Sequence, residues 1–162
     1  MDIHNSDPGS KLDEQIRLEE IRLLYGGTPF SYSASFVIVL IIYNVLLGHV
    51  TSPQNLNIWL FTILGILFVR SIDSYLFSTK DRKEQAKNSW RLRFFAGTGT
   101  AGFCWGFLPW LGYSSEIEYF SFIIVCLVGV VAGSLSTLSY RWETIALFLL
   151  PASLLLVLRL II

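Results

Sequence analysis

The sequence predicts an all-α membrane protein, a bundle of five transmembrane helices preceded by a short amphipathic helix, and three observations carry that expectation. Of 162 residues, 53% are hydrophobic and only 15% charged, with a mean hydropathy of +0.57, a balance that excludes a soluble enzyme and a disordered tail. The charges are also segregated: three of the twelve Lys plus Arg and six of the twelve Asp plus Glu precede Phe30, six more bases lie in residues 80–93, and the other bases are Arg70, Arg141 and Arg159. Between them run five apolar stretches, residues 30–50, 56–77, 94–113, 117–138 and 144–162. Each is close to the roughly 20 residues that a helix rising about 1.5 Å per residue needs to cross hydrocarbon. So short a chain has no polar exterior in which to bury five such helices. A formal net charge of +0 gives no basic excess for nucleic acid, so no nucleic-acid partner is expected.

Residues 1–10 are polar and acidic, are expected to be disordered, and lack the basic start and cleavable apolar core of a signal peptide. The first membrane helix must therefore direct insertion. Residues 11–25 read as an amphipathic helix. Ser10-Lys11-Leu12-Asp13 has the shape of a capping box, and Leu12, Ile16, Leu18, Ile21, Leu24 and Tyr25 recur among Arg17, Glu19, Glu20 and Arg22. Its apolar stripe fits packing on the bundle, resting on the membrane surface or pairing with a second copy. Gly26-Gly27 is expected to break this helix, with Thr28-Pro29 as cap and first turn of the first span.

Orientation follows from the basic residues in short loops. Residues 51–55 and 114–119 hold none, residues 80–93 hold six, and the turn at 139–143 holds Arg141. The N-terminus and the basic segment are thus expected in the cytoplasm, and the C-terminus outside. The sequence stops at Leu160-Ile161-Ile162 in mid-apolar run, which suggests a fragment whose next segment would be a sixth helix.

Two spans carry small residues: Gly99, Gly102 and Gly106 in the third, and Gly129, Ala132, Gly133 and Ser136 in the fourth. Both contain a GxxxG spacing, which lets helix backbones approach closely in lipid, so these two helices are expected to pack on each other. A close dimer contact or a small-ligand cleft is the alternative use. Gly97 to Gly102 also matches GxGxxG, but with no strand-to-helix context it reads as a small helix face and not as a dinucleotide cradle.

Arg70 and Asp73, three residues apart on the second span, are the candidate buried polar site. A charge at that depth costs about 2.5–3.5 kcal/mol on insertion scales unless paired or snorkelled. The spacing puts both on one face, and Ser71, Ser74 and Tyr75 are candidates to extend the site. Trp59, Trp90, Trp110, Tyr113 and Trp142 fall where interfacial anchors are expected. Trp105 sits at mid-helix, packed in the bundle or lining a cavity. His49 reads as an interfacial histidine. Cys104 and Cys126 read as small buried residues, without disulfide or zinc spacing. No catalytic arrangement, cofactor site or metal site is recognisable.

The stretch Gln15 to Tyr25, Trp59-Leu60 with Arg70 further on, and Ala101-Gly102-Phe103-Cys104-Trp105-Gly106 together resemble the N-terminal membrane region of bacterial GGDEF-type diguanylate cyclases and of some sensor histidine kinases. The similarity runs from about Leu12 to the end. It implies a signal-input module, normally of six spans, that leads into a cytoplasmic output domain absent from this chain. It implies lipid-bilayer surroundings, a homodimer, and a small-molecule or lipid stimulus, with any enzyme activity belonging to a longer parent. A small transporter subunit or carrier and a purely structural anchor are the alternatives; no inverted repeat or pair of broken helices favours a carrier.

Overall fold

Every stretch of the computed structural model that is described, residues 8–85, 87–112, 116–138 and 142–161, is built from helices and their connections. They are α1 (Pro8–Gly26), α2 (Thr28–Leu46), α3 (Pro53–Ser78), α4 (Arg82–Gln85), α5 (Asn88–Gly106), α6 (Leu108–Leu111), α7 (Ile117–Leu138) and α8 (Trp142–Ile161). Of residues 1–10, expected to be disordered, 1–7 lie outside the described residues and Pro8 to Ser10 instead open α1; the side chains of Ser10 to Asp13 and the ring of Tyr113 also lie outside the described residues.

Among the described residues, four helical segments are long and apolar enough to cross a membrane: Leu18–Leu46, Pro53–Ser78, Ile117–Leu135 and Trp142–Ile161. Five were expected, and by length and composition four are found. The stretch 94–113 is not one apolar helix. α5 starts earlier, at Asn88, takes in Arg91 and Arg93, and is rich in Gly and Thr through its middle. It ends at Gly106 because Pro109 has no N–H to give to the carbonyl one turn back. The chain resumes as the short α6.

The junction of α1 and α2 is also tighter than Gly26-Gly27 suggests. Gly27 keeps a right-handed helical conformation (φ −84°, ψ −8°) and, as the N-cap, supplies no side chain. The Thr28 hydroxyl donates back to the Tyr25 carbonyl at 2.7 Å instead of capping the new helix. α1 and α2 therefore run on nearly end to end. The turn that truly needs glycine follows α2, where Gly48 takes φ +95°, a conformation that a Cβ disfavours.

α1 buries its stripe, Leu18, Ile21, Leu24 and Tyr25, against the bundle, packing on α2 and α4. α2 packs on α3, and α5 lies between α3 and α8. The core takes Val39, Ile42 and Leu46 from α2, Leu56, Trp59 and Ile63 from α3, Ala101 and Trp105 from α5, and Ile123 and Leu127 from α7. Trp105 thus packs in the bundle. Trp59 is not an interfacial anchor: it is fully buried, its Nε1 donates to the Cys104 carbonyl at 3.0 Å, and its ring meets Trp105 edge-on at 5.8 Å. Trp90 is buried as well. Trp142 remains exposed, as an anchor would.

The tightest seam joins α5 to α8. A Cβ on Gly102 would stand 2.5 Å from the Phe148 carbonyl oxygen, and one on Gly106 would stand 2.9 Å from Ala152 Cα and the Pro151 carbonyl. Trp110 Nε1 continues the seam by donating to the Leu155 carbonyl at 3.0 Å. The partner of these glycines is therefore α8, not the helix carrying Gly129 and Gly133. A Cβ at either of those would meet nothing within 4 Å. α7 turns Ile123, Leu127 and Val130 inward, and at about 100° per residue the glycine stripe falls on a different side of the helix. A Cβ on Gly99 would reach 3.9 Å from the Leu147 carbonyl, an ordinary contact at the edge of the seam.

Candidate polar site at the basic end

The end of the bundle where α3 stops, α4 lies and α5 begins carries the bases of residues 80–93 and a cluster of long-range polar contacts. Arg70 and Asp73 both lie there, but their side chains do not meet each other. Arg70 turns to α5: its Nη2 donates to Thr98 Oγ1 at 3.2 Å. The guanidinium lies over the rings of Tyr32 at 5.1 Å and Phe94 at 5.5 Å. Thr98 is fully buried, and its own proton goes to the Phe94 carbonyl at 2.8 Å, which leaves oxygen lone pairs for Arg70. Gly97 makes this approach close, since a Cβ there would sit 3.3 Å from Arg70 Nε.

Asp73 turns to α1 instead. The Tyr25 hydroxyl donates to Asp73 Oδ2 at 2.7 Å, while Arg93 Nη1 of α5 lies 3.6 Å from Oδ1. The Tyr25 ring is stacked on Phe77 at 4.1 Å and meets Phe94 edge-on at 5.3 Å and Trp90 at 6.3 Å. Beside it, Thr28 and Ser74 share a hydrogen bond of 2.8 Å. Ser71 bonds only back along its helix, to the Leu67 carbonyl, and Tyr75 is exposed, so of the three candidates only Ser74 joins the network.

A second strand of contacts ties α1 to the short α4. Arg22 Nε donates to Gln85 Oε1 at 3.2 Å, and Gln85 Nε2 donates to the Phe77 carbonyl at 2.9 Å. Gln85 is buried. Trp90 Nε1 donates to the Glu84 carbonyl at 3.0 Å. On the exposed side, Lys87 and Lys80 flank Glu84 and hold its carboxyl below its ordinary range. α1, α3, α4 and the start of α5 are therefore one hydrogen-bonded joint, which α1 cannot leave without breaking the Tyr25–Asp73 and Arg22–Gln85 bonds.

Tyr25, Thr98, Gln85, Trp90 and Arg93 are the members of this joint that sequence reasoning missed as site residues. Tyr25 was legible only as part of an apolar stripe, and Thr98 only as a filler of GxGxxG. At the opposite end, His49 Nε2 lies 3.0 Å from the Tyr119 hydroxyl, with the rings stacked at 4.0 Å, and Nδ1 lies 4.0 Å from Glu116. Cys104 is buried and Cys126 half-buried, and both are free thiols. No group of three or more His, Cys, Asp or Glu that could hold a metal ion occurs among the described residues.

No family model matches the chain, and neither a curated protein nor a solved structure is significantly similar to it.

Proposed function

We propose that this chain is the membrane-embedded input and anchoring module of a bacterial signalling protein of the cyclic-di-GMP or two-component type, working as a homodimer in the inner membrane. The observation that carries this reading is the Tyr25–Asp73 hydrogen bond at 2.7 Å. It joins an amphipathic helix at the edge of the membrane to an ionisable side chain of a membrane span. An intramembrane carboxylate is costly, and one that holds α1 links bundle geometry to that helix. A small displacement of α3 against α5 or α1 would be felt at this joint, through Arg70 with Thr98 on one side and Asp73 with Tyr25 on the other.

In this reading the basic segment 80–93 and α1 face the cytoplasm, and α5 crosses as a fifth, shielded segment. Its weakly apolar sequence is tolerated because α3 and α8 cover it, as polar or irregular helix is tolerated when buried in protein. Reporters fused near Ser10 or Lys83 should read cytoplasmic, and those near Gln54 or Glu116 external. An external readout at Lys83 would overturn the orientation.

The functional test fuses the chain ahead of a diguanylate cyclase or histidine kinase output domain. Tyr25→Phe and Asp73→Asn should each change output while leaving the amount of protein in the membrane unchanged. Normal output from both would reduce the chain to a structural anchor.

A further inference from the structure

Beside the Tyr25–Asp73 joint, a groove of ≈ 1080 Å³ opens between the α1–α2 segment and α3. Its size is at the upper end of small-molecule sites, which run about 300–1,000 Å³. The lining is graded along the helices. Near the basic end it presents Gly26, Ser74 and Ser78, and deeper in the bundle Val37, Leu64 and Phe68. Val37 and Phe68 are themselves exposed at the rim, so the groove opens sideways, toward whatever surrounds the spans.

Length and charge both identify an occupant. From Ser78 to Leu64, fourteen residues of α3, the groove runs about 21 Å at 1.5 Å per residue. One leaflet, half of a bilayer about 40–45 Å thick with its head groups, has the same extent. Immediately past the polar end of the groove come Lys80 and Arg82. The six bases of residues 80–93 outnumber Asp73, Asp81 and Glu84 by three, with Lys80 and Lys87 facing Glu84 and Arg93 facing Asp73. We infer that this groove holds one phospholipid with an anionic head group, drawn from the leaflet at the basic end, its acyl chain along Leu64, Phe68 and Val37 and its phosphate at Ser78, Lys80 and Arg82. This rests on the signal-input reading only for its consequence, that occupancy of the groove would press on Tyr25 and so reach the joint; the binding itself does not depend on that reading.

The test uses the full chain, purified in mild detergent, stripped of lipid, and titrated with phosphatidylglycerol or with phosphatidylcholine of the same acyl chains. Native mass spectrometry reads the lipids retained. Wild-type protein should hold one phosphatidylglycerol saturably and release phosphatidylcholine more readily. Lys80→Gln with Arg82→Gln should weaken phosphatidylglycerol by about thirtyfold, from the attraction of two bases for an anionic surface, and leave phosphatidylcholine unchanged. Ser33→Phe and Ser71→Phe, which fill the groove from α2 and α3, should each abolish the saturable site, whereas Val125→Phe on the exposed face of α7 should not. Equal retention of the two lipids by wild-type protein would overturn the inference without any variant. So would a groove-filling variant that folds, keeps its lipid and loses only self-association, because a second copy would then be the occupant. Loss of lipid in Ser33→Phe with normal output from the fused output domain would sink the signalling reading and leave the lipid site standing.

Discussion

α5 and α7 carry the same GxxxG spacing and use it in opposite ways. On α5, Gly102 and Gly106 meet the backbone of α8 so closely that a Cβ would stand 2.5 Å and 2.9 Å from backbone atoms. On α7, a Cβ at Gly129 or Gly133 would meet nothing within 4 Å. The difference shows that a small-residue stripe permits a close approach but does not select the partner. Selection comes from the larger residues alongside. On α7, Ile123, Leu127 and Val130 claim the inward face and turn the glycines away from it. On α5, Ala101, Cys104 and Trp105 are buried beside the glycines, and the Trp59 bond to the Cys104 carbonyl ties the helix to α3.

The sharpest way to break the comparison is to add a single methyl group to each stripe. Gly102→Ala should destabilise the fold by about 1–3 kcal/mol, because the obstructing atom is a backbone carbonyl that cannot rotate away. Gly106→Ala should fall in the same range. Gly129→Ala and Gly133→Ala should be neutral or stabilising by up to about 1 kcal/mol, from alanine's higher helix propensity. Thermal unfolding in one detergent measures all four. Equal losses at the two stripes would mean that α7 has a close partner too.

Next in size is the other side of α5. Trp59→Phe should cost about 1 kcal/mol by stranding the Cys104 carbonyl in the core, read from the same unfolding curves. A loss no larger than that of a conservative change at exposed Trp142 would return Trp59 to the role of a surface anchor.

The polar pairs extend the comparison on a smaller scale, since Arg70 and Asp73 share a spacing that suggests a pair and yet bond to different helices. A double-mutant cycle of Tyr25→Phe with Asp73→Leu should show a coupling of about 0.6 kcal/mol, the usual size for hydrogen bonds inside membrane proteins. The cycle of Arg70→Leu with Asp73→Leu should be closer to additive. The opposite ranking would put the two charges in one site after all.

The smallest effect belongs to the exposed clasp on α4. Because Lys87 and Lys80 depress the Glu84 carboxyl, its contribution is present at neutral pH and is lost as pH falls through that lowered value. An NMR titration of the Glu84 carboxyl should show a depressed midpoint that Lys87→Gln raises, with global stability unchanged. An unshifted midpoint in the wild-type chain would remove the clasp.

The helical class, the ends of α3 and α7 to within a few residues, and the amphipathic nature of α1 were legible because each depends on local periodicity and apolar length. The polar site was legible only in part. Arg70 and Asp73 stood out as charges in an apolar helix, but Tyr25, Gln85 and Thr98 look ordinary in a sequence, and they become site residues only when α1, α4 and α5 reach the same end of the bundle.

What the sequence determined by itself was thus what each segment is: helical, apolar or basic, opened at Pro53 and stopped where Gly48 and Pro109 require it. Only the tertiary structure decided what each segment touches. It paired the α5 glycines with α8, sent Arg70 and Asp73 to different neighbours, drew Trp59 and Trp90 from the expected interface into the core, and left α5 dependent on its neighbours for cover. The physical reason is that helix formation is satisfied within a few residues along the chain, whereas helix association in an apolar surrounding is decided by close packing and a few hydrogen bonds between residues tens of positions apart. Spacing along one helix specifies a face, and only the shape of the other helices specifies what that face meets.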